Sequence, residues 1–264
     1  MDFQIALLLG QDGLTNGAIY ALLALALVLV FAVTRVIFIP QGEFVAYGAL
    51  TLAMLQAGKL PATLWIIAAL GAAIVVIDGA IAIRHGAARR LPRIVLSNLG
   101  VPLALLLIVP NINAAGLPLI AQIALTLAVV VPLGPMIYRL AYQPIAEAPV
   151  LILLIVSVAV HVVLIGLGLL FFGAEGTRTP AFTDGTLDLG VTTLQSQTLW
   201  ILAISAVLIV ALYAFFGRTL YGKALRATAL NRTGARLMGI STTMAGKLSF
   251  TLAAMIGTFS GILI

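Results

Sequence analysis

The sequence predicts an all-α, polytopic integral membrane protein, and three observations support that fold class. Of the 264 residues, 62% are hydrophobic and only 8% are charged, and the mean hydropathy is +1.21. Soluble domains carry about 45–50% apolar and about 25% charged residues. Apolar stretches long enough to cross a bilayer recur along the chain, and basic residues cluster in alternate breaks between them. Residues 1–264 are therefore predicted to form one transmembrane domain.

Eight stretches are predicted to span the membrane. A transmembrane helix needs about 20 apolar residues to cross about 30 Å of hydrocarbon. The stretches are residues 14–33, 43–57, 62–83, 94–109, 117–138, 151–172, 199–216 and 248–264. The second and fourth are short, so they are tilted spans, half-helices or interfacial pieces. The last ends without a polar flank, and we expect the chain to be truncated there or completed by a partner.

The orientation of these spans follows from the basic residues. An N-terminus outside the cell places all 14 Lys and Arg residues in the cytoplasm except Lys59 and Arg178. An excess of basic residues in short cytoplasmic loops is the main determinant of membrane topology. The sequence therefore predicts an outside N-terminus.

Composition also excludes several kinds of site. The chain has no cysteine, which removes disulfides and thiolate chemistry, and its two histidines, His85 and His161, are too few for a histidine metal cluster. No cofactor or metal is therefore expected in the chain. The formal charge of +6 does not predict a nucleic-acid partner, because the bases follow the membrane topology. The bilayer itself is the expected partner.

Segment 217–247 is the largest predicted cytoplasmic segment, with six basic residues and no acidic one. Good helix formers at 222–230 predict a first short helix. Asn231 is suited to cap a second helix over 232–238, and Gly239 to end it in the left-handed conformation. The segment is therefore expected to be folded rather than a simple loop.

The same segment offers a surface for a partner. Ser241 is suited to cap the next span, and Leu225, Leu237 and Ile240 form an expected apolar side that could dock on another protein. The alternative is a basic patch that rests on anionic lipid. Residues 217–224 nearly match the phosphate-binding loop G-x-x-x-x-G-K-[ST], but Ala224 lacks the hydroxyl that binds magnesium. No nucleotide site is therefore predicted in this chain.

Pro40, Gln41, Gly42 and Glu43 interrupt the apolar sequence between the first two spans. Such a break can mark a discontinuous helix that lines a path through the membrane, because irregular backbone is tolerated there only against protein or water. The alternative is a simple cytoplasmic loop in which Glu43 is an interfacial acid. Both interpretations are open at the level of the sequence.

Two further ionisable residues fall inside predicted spans. Asp78 lies near the inner end of the third span and His161 near the middle of the sixth. Ionisable groups within a membrane are costly and are often functional. Alternatively, Asp78 reaches the interface or pairs with Arg84, and His161 bonds a neighbouring helix. Two G-x-x-x-G motifs, at 13–17 and 257–261, predict close helix packing and no particular function.

Three stretches resemble one protein family. They are G-L-T-N-G-A-I-Y-A-L at 13–22, Y-R-L-A-Y-Q-P at 138–144, and the segment 222–240, which is similar to the pattern G-[KR]-A-x-R-A…A-x-x-x-G-I. They resemble the permease subunits of ABC importers of the branched-chain amino acid (Liv) type. At 38–43 only Gly42 and Glu43 match the family's N-F-A-H-G-E, and Asn231 stands where an acid is common. Residues 84–136 are interpreted as an extra pair of spans.

The resemblance implies a function and a set of partners. The chain would be the translocation subunit of an importer in the bacterial inner membrane, and not an enzyme. ATP and magnesium would bind to separate ATPase subunits. A second permease subunit, identical or homologous, would complete the path. An extracytoplasmic solute-binding protein would dock on outer loops including 173–197. The resemblance assigns ATPase coupling to Gly222, Lys223, Ala224, Arg226, Ala235, Gly239 and Ile240. The candidates for the path are Gln41, Gly42, Glu43 and His161.

Other functions remain open at this level. The expected cargo is a branched-chain or other apolar amino acid, and the nearest alternative is urea or a short-chain amide. A carrier or channel that works without ATP is a second alternative, although the sequence contains no evident proton relay. A membrane scaffold without transport is a third.

Overall fold

The computed structural model describes residues 3–173, 179, 182, 185–188 and 193–264, and within them the protein is almost entirely helical. Two three-residue strands, β1 (Thr186–Asp188) and β2 (Thr193–Gln195), pair antiparallel just before the helix that begins at Ser196. The helices are α1 (Phe3–Thr34), α2 (Gln41–Gln56), α3 (Thr63–Arg84), α4 (Leu91–Ile108), α5 (Leu119–Val130), α6 (Leu133–Ile137), α7 (Val150–Phe172), α8 (Ser196–Arg218), α9 (Leu220–Leu230), α10 (Arg232–Leu237) and α11 (Thr242–Leu263).

Among the described residues, seven helical stretches are long and apolar enough to span a membrane. The second of the eight predicted spans, 43–57, corresponds to α2, which has only 16 residues and does not qualify by length. The fourth is longer than predicted, because 3₁₀ turns extend α4 to a stretch of 24 residues. The fifth runs through α5, α6 and a π-helical turn at Tyr138–Tyr142. It is interrupted at Pro132 and Pro135, which lack the backbone N–H that a continuous helix requires.

Helix α11 forms the centre of the bundle. In α11, 72% of the span is buried inside the protein, against 44% or less in the six other stretches. It packs against α1, α2, α5, α6, α8 and α9. Small residues at its contact positions, such as Gly246 and Gly257, let the neighbouring backbones and rings approach closely.

The two G-x-x-x-G motifs behave differently. A Cβ atom added at Gly257 would lie 2.7 Å from Cβ of Phe44, and one added at Gly261 would clash with the carbonyl oxygen of Val45. Both neighbours belong to α2. Gly13 and Gly17, in contrast, have no atom within 4 Å of the position of an added Cβ. The predicted packing role is therefore confirmed within this chain for the second motif only.

The chain between α1 and α2 is not helical, and its side chains alternate between buried and exposed, with Arg35, Ile37 and Ile39 exposed. Arg35 has a φ of 61°, in the left-handed region, and ends α1. Val36 and Phe38 are then 2% and 0% exposed. The ring of Phe38 contacts Phe44, and it meets Phe250 of α11 edge-on at a centroid distance of 4.8 Å. Aromatic packing therefore holds the buried side of this irregular segment against the bundle.

One end of the bundle, called the basic end here, is where α3 ends and where α4, α7 and α11 begin. Helices α9 and α10 lie at this end. The three capping residues that the sequence predicts act at the two ends of α10 and at the start of α11. Oδ1 of Asn231 accepts a hydrogen bond from N–H of Gly234, Gly239 has a φ of +82°, and Oγ of Ser241 accepts from N–H of Met244. Thr219 supplies a further cap, at the start of α9, that the sequence analysis did not identify.

The contrast between the two glycine motifs gives a test of this packing. Gly261→Ala should lower the stability of the detergent-solubilised protein by about 1–3 kcal/mol, because the added methyl group forces α2 away from α11. Gly17→Ala is the matched control, because its methyl group would enter open space. Thermal unfolding of the two variants measures the difference. Equal midpoints would contradict the α2–α11 contact.

Candidate functional site

Helix α2 begins beside the middle of two longer helices. Nε2 of Gln41, its first residue, donates a hydrogen bond of 3.0 Å to the carbonyl oxygen of Ala253, halfway along α11. Glu43, in its first turn, contacts His161, halfway along α7. Because α7 and α11 are both long enough to span a bilayer, the start of α2 lies near mid-depth. This placement is that of a discontinuous helix rather than of a loop beyond the end of the bundle.

Glu43 and His161 form a polar contact across two helices. Oε1 of Glu43 lies 2.7 Å from Nδ1 of His161, and their side chains are 12% and 34% exposed. Oε2 of Glu43 is buried and has no hydrogen-bond partner among the described residues. A carboxylate in the first turn of a helix is stabilised by the backbone N–H groups there. The contact therefore brings together an acceptor with spare capacity and a group that can carry a proton.

The neighbours of Glu43 divide into an exposed side and an anchored side. Gly42 and Ala46 are exposed, and open space surrounds the position of a Cβ at Gly42. Gln41 is only 3% exposed, and its hydrogen bond fixes α2 on α11. The hydroxyl of Tyr47 donates to the carbonyl oxygen of Leu164 at 2.7 Å and fixes α2 on α7. Of the four path candidates, Gly42, Glu43 and His161 share an accessible face, and Gln41 does not.

Asp78 pairs with a residue that the sequence analysis did not consider. Its carboxylate forms an ion pair with the guanidinium of Arg139, and Nε of Arg139 lies 3.3 Å from Oδ2. Arg84, the partner suggested by the sequence, is exposed. The ion pair joins α3 to the π-helical turn at the basic end. Asp78 is therefore held by a cation on another helix rather than by its own helix.

The seven coupling candidates occupy three kinds of position at the basic end. Gly222 and Ala235 are buried, and Gly222 lets α9 approach the end of α8 at Phe215. Lys223 and Arg226 are exposed. The other three, Ala224, Gly239 and Ile240, line an apolar cavity of about 290 Å³ between α9 and the start of α11. The set therefore combines scaffold positions, exposed cations and the wall of a groove.

The exposed apolar residues of this segment differ from those expected. Leu225 is buried, at 1% exposure, and Ile240 is half-buried, so neither presents a free surface. Leu237 is exposed as expected, at 84%. Three further apolar side chains are similarly accessible: Leu220, Leu230 and Met238, at 82%, 89% and 82%. The difference arises because helix periodicity alone does not say which apolar side packs onto the bundle.

Helix α10 is tied to the chain that leads into α7. Nη1 of Arg232 donates to the carbonyl oxygen of Ala146 at 3.1 Å, and Nη1 of Arg236 donates to Oε1 of Glu147 at 2.8 Å. Only Pro149 and Ala148 separate Glu147 from the start of α7. The helix attached here is the one that carries His161. A displacement of α10 therefore has a direct connection to α7.

Two other expectations concern the outer connection and metals. In the connection 173–197, Glu175, Arg178 and Asp184 lie outside the described residues, and Asp188 ends β1. Within the described part of the chain, no group of three or more acidic or histidine side chains could hold a metal ion.

Comparison with known protein families gives one match. The family model described as "Branched-chain amino acid transport system / permease component" matches residues 62–264. The matched region includes α3 to α11, and with them segment 217–247 and residues 84–136. Comparisons with curated proteins and with solved structures gave no match.

The Glu43–His161 contact can be tested with a double-mutant cycle. Glu43→Gln, His161→Gln and the double variant should show a coupling energy of about 0.5–3 kcal/mol in thermal unfolding, because the contact is largely shielded from water. His85→Gln provides the control, since His85 is exposed at the basic end and its effect should add to that of Glu43→Gln. Additive effects for both histidines would contradict the contact.

Proposed function

Because this multi-pass membrane protein belongs to the family of permease components of branched-chain amino acid transport systems, we propose that it is the translocation subunit of an ATP-driven ABC importer. Its cargo would be a branched-chain or other apolar amino acid. The protein would lie in the bacterial inner membrane with its basic end in the cytoplasm, as the distribution of basic residues favours. Residues 1–264 would act as one permease domain, with 84–136 supplying an additional pair of spans.

The observation that carries this proposal is the connection from α10 to α7. The family implies that ATP is hydrolysed on other subunits, so the permease needs an element that transmits their movement. Arg232 and Arg236 attach α10 to the chain just before α7, and α7 presents His161 to Glu43. Movement of the coupling segment 217–247 would therefore alter the accessible face at mid-depth. Such a shift between two arrangements of packed helices is a recognised basis of switching.

The exposed apolar residues of the coupling segment support docking of an ATPase. Leu230 and Leu237 are 89% and 84% exposed, so the described residues leave their apolar side chains uncovered. Lys223 and Arg226 add positive charge nearby. An ATPase surface with an apolar cleft and an acidic rim fits both features.

The accessible face at mid-depth suits a zwitterion. The carboxylate of Glu43 complements an ammonium group, and the positive end of the α2 dipole, next to the open space at Gly42, complements a carboxylate. Urea and short-chain amides carry neither charge. The arrangement therefore favours an amino acid over the neutral solutes, and a second permease subunit, identical or homologous, would close the path over this face. An extracytoplasmic binding protein would deliver the amino acid to the outer end.

A proton-coupled carrier is the second candidate, and the Glu43–His161 contact is the observation that favours it. Movement of a proton between an acid and a histidine can drive transport without ATP. Uptake of labelled leucine by energised cells separates the two. An importer stops when ATP is depleted while the proton gradient is maintained, whereas a carrier stops when an uncoupler removes the gradient at constant ATP.

Co-purification tests the ATPase partnership. An ATP-binding subunit should co-purify with the protein from its own host in mild detergent, and the double variant Leu230→Asp/Leu237→Asp should lose it, because aspartate in the docking surface would be desolvated without a partner. Leu60→Asp is the control, an exposed leucine at the opposite end. If no ATPase appears with the unaltered protein under conditions that preserve a known ABC complex, the importer proposal is wrong.

Gly239 gives a test of coupling. Gly239→Val should abolish most ATP-dependent uptake, because a β-branched residue at a φ of +82° is strained by about 1–3 kcal/mol and shifts the end of α10. Gly239→Asn should retain more uptake, since asparagine tolerates the left-handed region. Gly217→Val, in open space and without a positive φ, is the positional control. Normal uptake by Gly239→Val, at equal protein levels, would exclude this role.

A further inference from the structure

A second cavity lies at the basic end, separate from the apolar cavity between α9 and α11 and from the Glu43–His161 contact. It has a volume of about 430 Å³ and lies between α3, α4, the α6 region and the start of α11. Ligand pockets in proteins typically have about 300–1,000 Å³. Its wall includes the side chains of Asp78, Arg93, Arg139 and Lys247. Neither the path nor the docking of an ATPase uses these groups.

The charged groups of this cavity are unbalanced. Asp78 neutralises one cation, since it pairs with Arg139. Arg93 and Lys247 have no ion-pair partner within the described part of the chain. They come from two different helices, Arg93 from the first turn of α4 and Lys247 from the second turn of α11, and they line one space. Two cations that line one space beside a neutralised pair favour an anionic ligand.

The cavity also changes character along α4. Arg93 and Ser97 form its polar part, and Val101 and Pro102, one to two turns further from the basic end, form its apolar part. Ile74 of α3 and Met136 of α6 complete the apolar wall. A free phosphate would use only the polar part. An amphiphile, with an anionic head and a hydrocarbon tail directed towards the membrane interior, would use both.

We propose that the cavity lined by Arg93, Lys247 and Val101 binds the phosphate group and the first part of an acyl chain of an anionic phospholipid. The phosphate lies between Arg93 and Lys247. Ser97 and Asn98 line the same part of the cavity, and their side chains donate to the carbonyl oxygen of Ile94. The acyl chain follows α4 past Val101 into the bilayer. Basic pockets between transmembrane helices are a known means of binding anionic headgroups. The bound lipid would join α4 to α11, the central helix of the bundle.

Native mass spectrometry and thermal unfolding of the full chain test this site. The probes are phosphatidylglycerol, phosphatidylcholine and inorganic phosphate, added separately to the delipidated protein in detergent. Phosphatidylglycerol should be retained and should raise the unfolding temperature more than the other two probes. Arg93→Gln and Lys247→Gln should each weaken its binding by roughly fivefold. Arg89→Gln/Arg90→Gln, in the exposed turn just before α4, is the matched control and should bind like the unaltered protein.

A variant of the apolar part distinguishes lipid from free phosphate. Val101→Trp would fill the space for the acyl chain and leave the cations in place, so it should weaken phosphatidylglycerol binding without weakening binding of inorganic phosphate. If inorganic phosphate stabilises the protein as much as the lipid does, the ligand is a soluble phosphate and the lipid proposal is wrong. If the cavity variants and the Arg89→Gln/Arg90→Gln control lose phosphatidylglycerol binding equally, the basic surface attracts anions diffusely. The proposal of a defined site would then be wrong.

Discussion

The close approach of α2 to α11 is the constraint on which the rest of the structure depends. Helix α2 is too short to span the bilayer, and it starts at mid-depth, so it needs a neighbour that holds it there. Gly257 and Gly261 bring its backbone against α11, and the side chain of Gln41 adds a hydrogen bond to Ala253. Small residues permit this approach because dispersion contacts and polar bonds, rather than the hydrophobic effect, hold helices together in lipid. The central position of α11 follows from the same contacts.

That constraint makes a polar site inside the membrane tolerable. An acid at the centre of a membrane helix costs about 2.5–3.5 kcal/mol on insertion scales. Glu43 offsets part of this cost through His161 and through its place in the first turn of α2. One side of the non-helical chain before α2 is shielded by Phe38 and its aromatic neighbours. The break therefore combines buried irregular backbone on one side with an accessible polar face on the other, which is the arrangement that a path for a polar solute requires.

Local features were predictable from the sequence, and contacts between distant elements were not. Asn231, Gly239 and Ser241 act through backbone groups a few residues away, so their roles as caps could be predicted from residue type and spacing. The pairing of Asp78 with Arg139 joins residues 61 positions apart, and hydropathy carries no information on such a pair. The depth of α2 could not be predicted from the sequence either, because a break between apolar stretches has the same sequence pattern whether it lies at mid-depth or outside the membrane. Resemblance to a family suggested a coupling role for segment 217–247, but only the structure shows that α10 contacts the chain that leads into α7.

The strength of the link between α10 and α7 does not come from its ion pair. Arg236 and Glu147 are 58% and 77% exposed, and such surface pairs contribute little to stability. The hydrogen bond from Arg232 to the carbonyl oxygen of Ala146 is better shielded and acts on the backbone itself. A weak contact of this kind suits the proposed coupling role of α10. It would pass a displacement of α10 on to α7 without holding the two helices in one arrangement. Halfway along α7, an amino acid in the proposed path would compete, through its ammonium group, with His161 for Glu43. Substrate at mid-depth and movement at the basic end would thus act on the same helix.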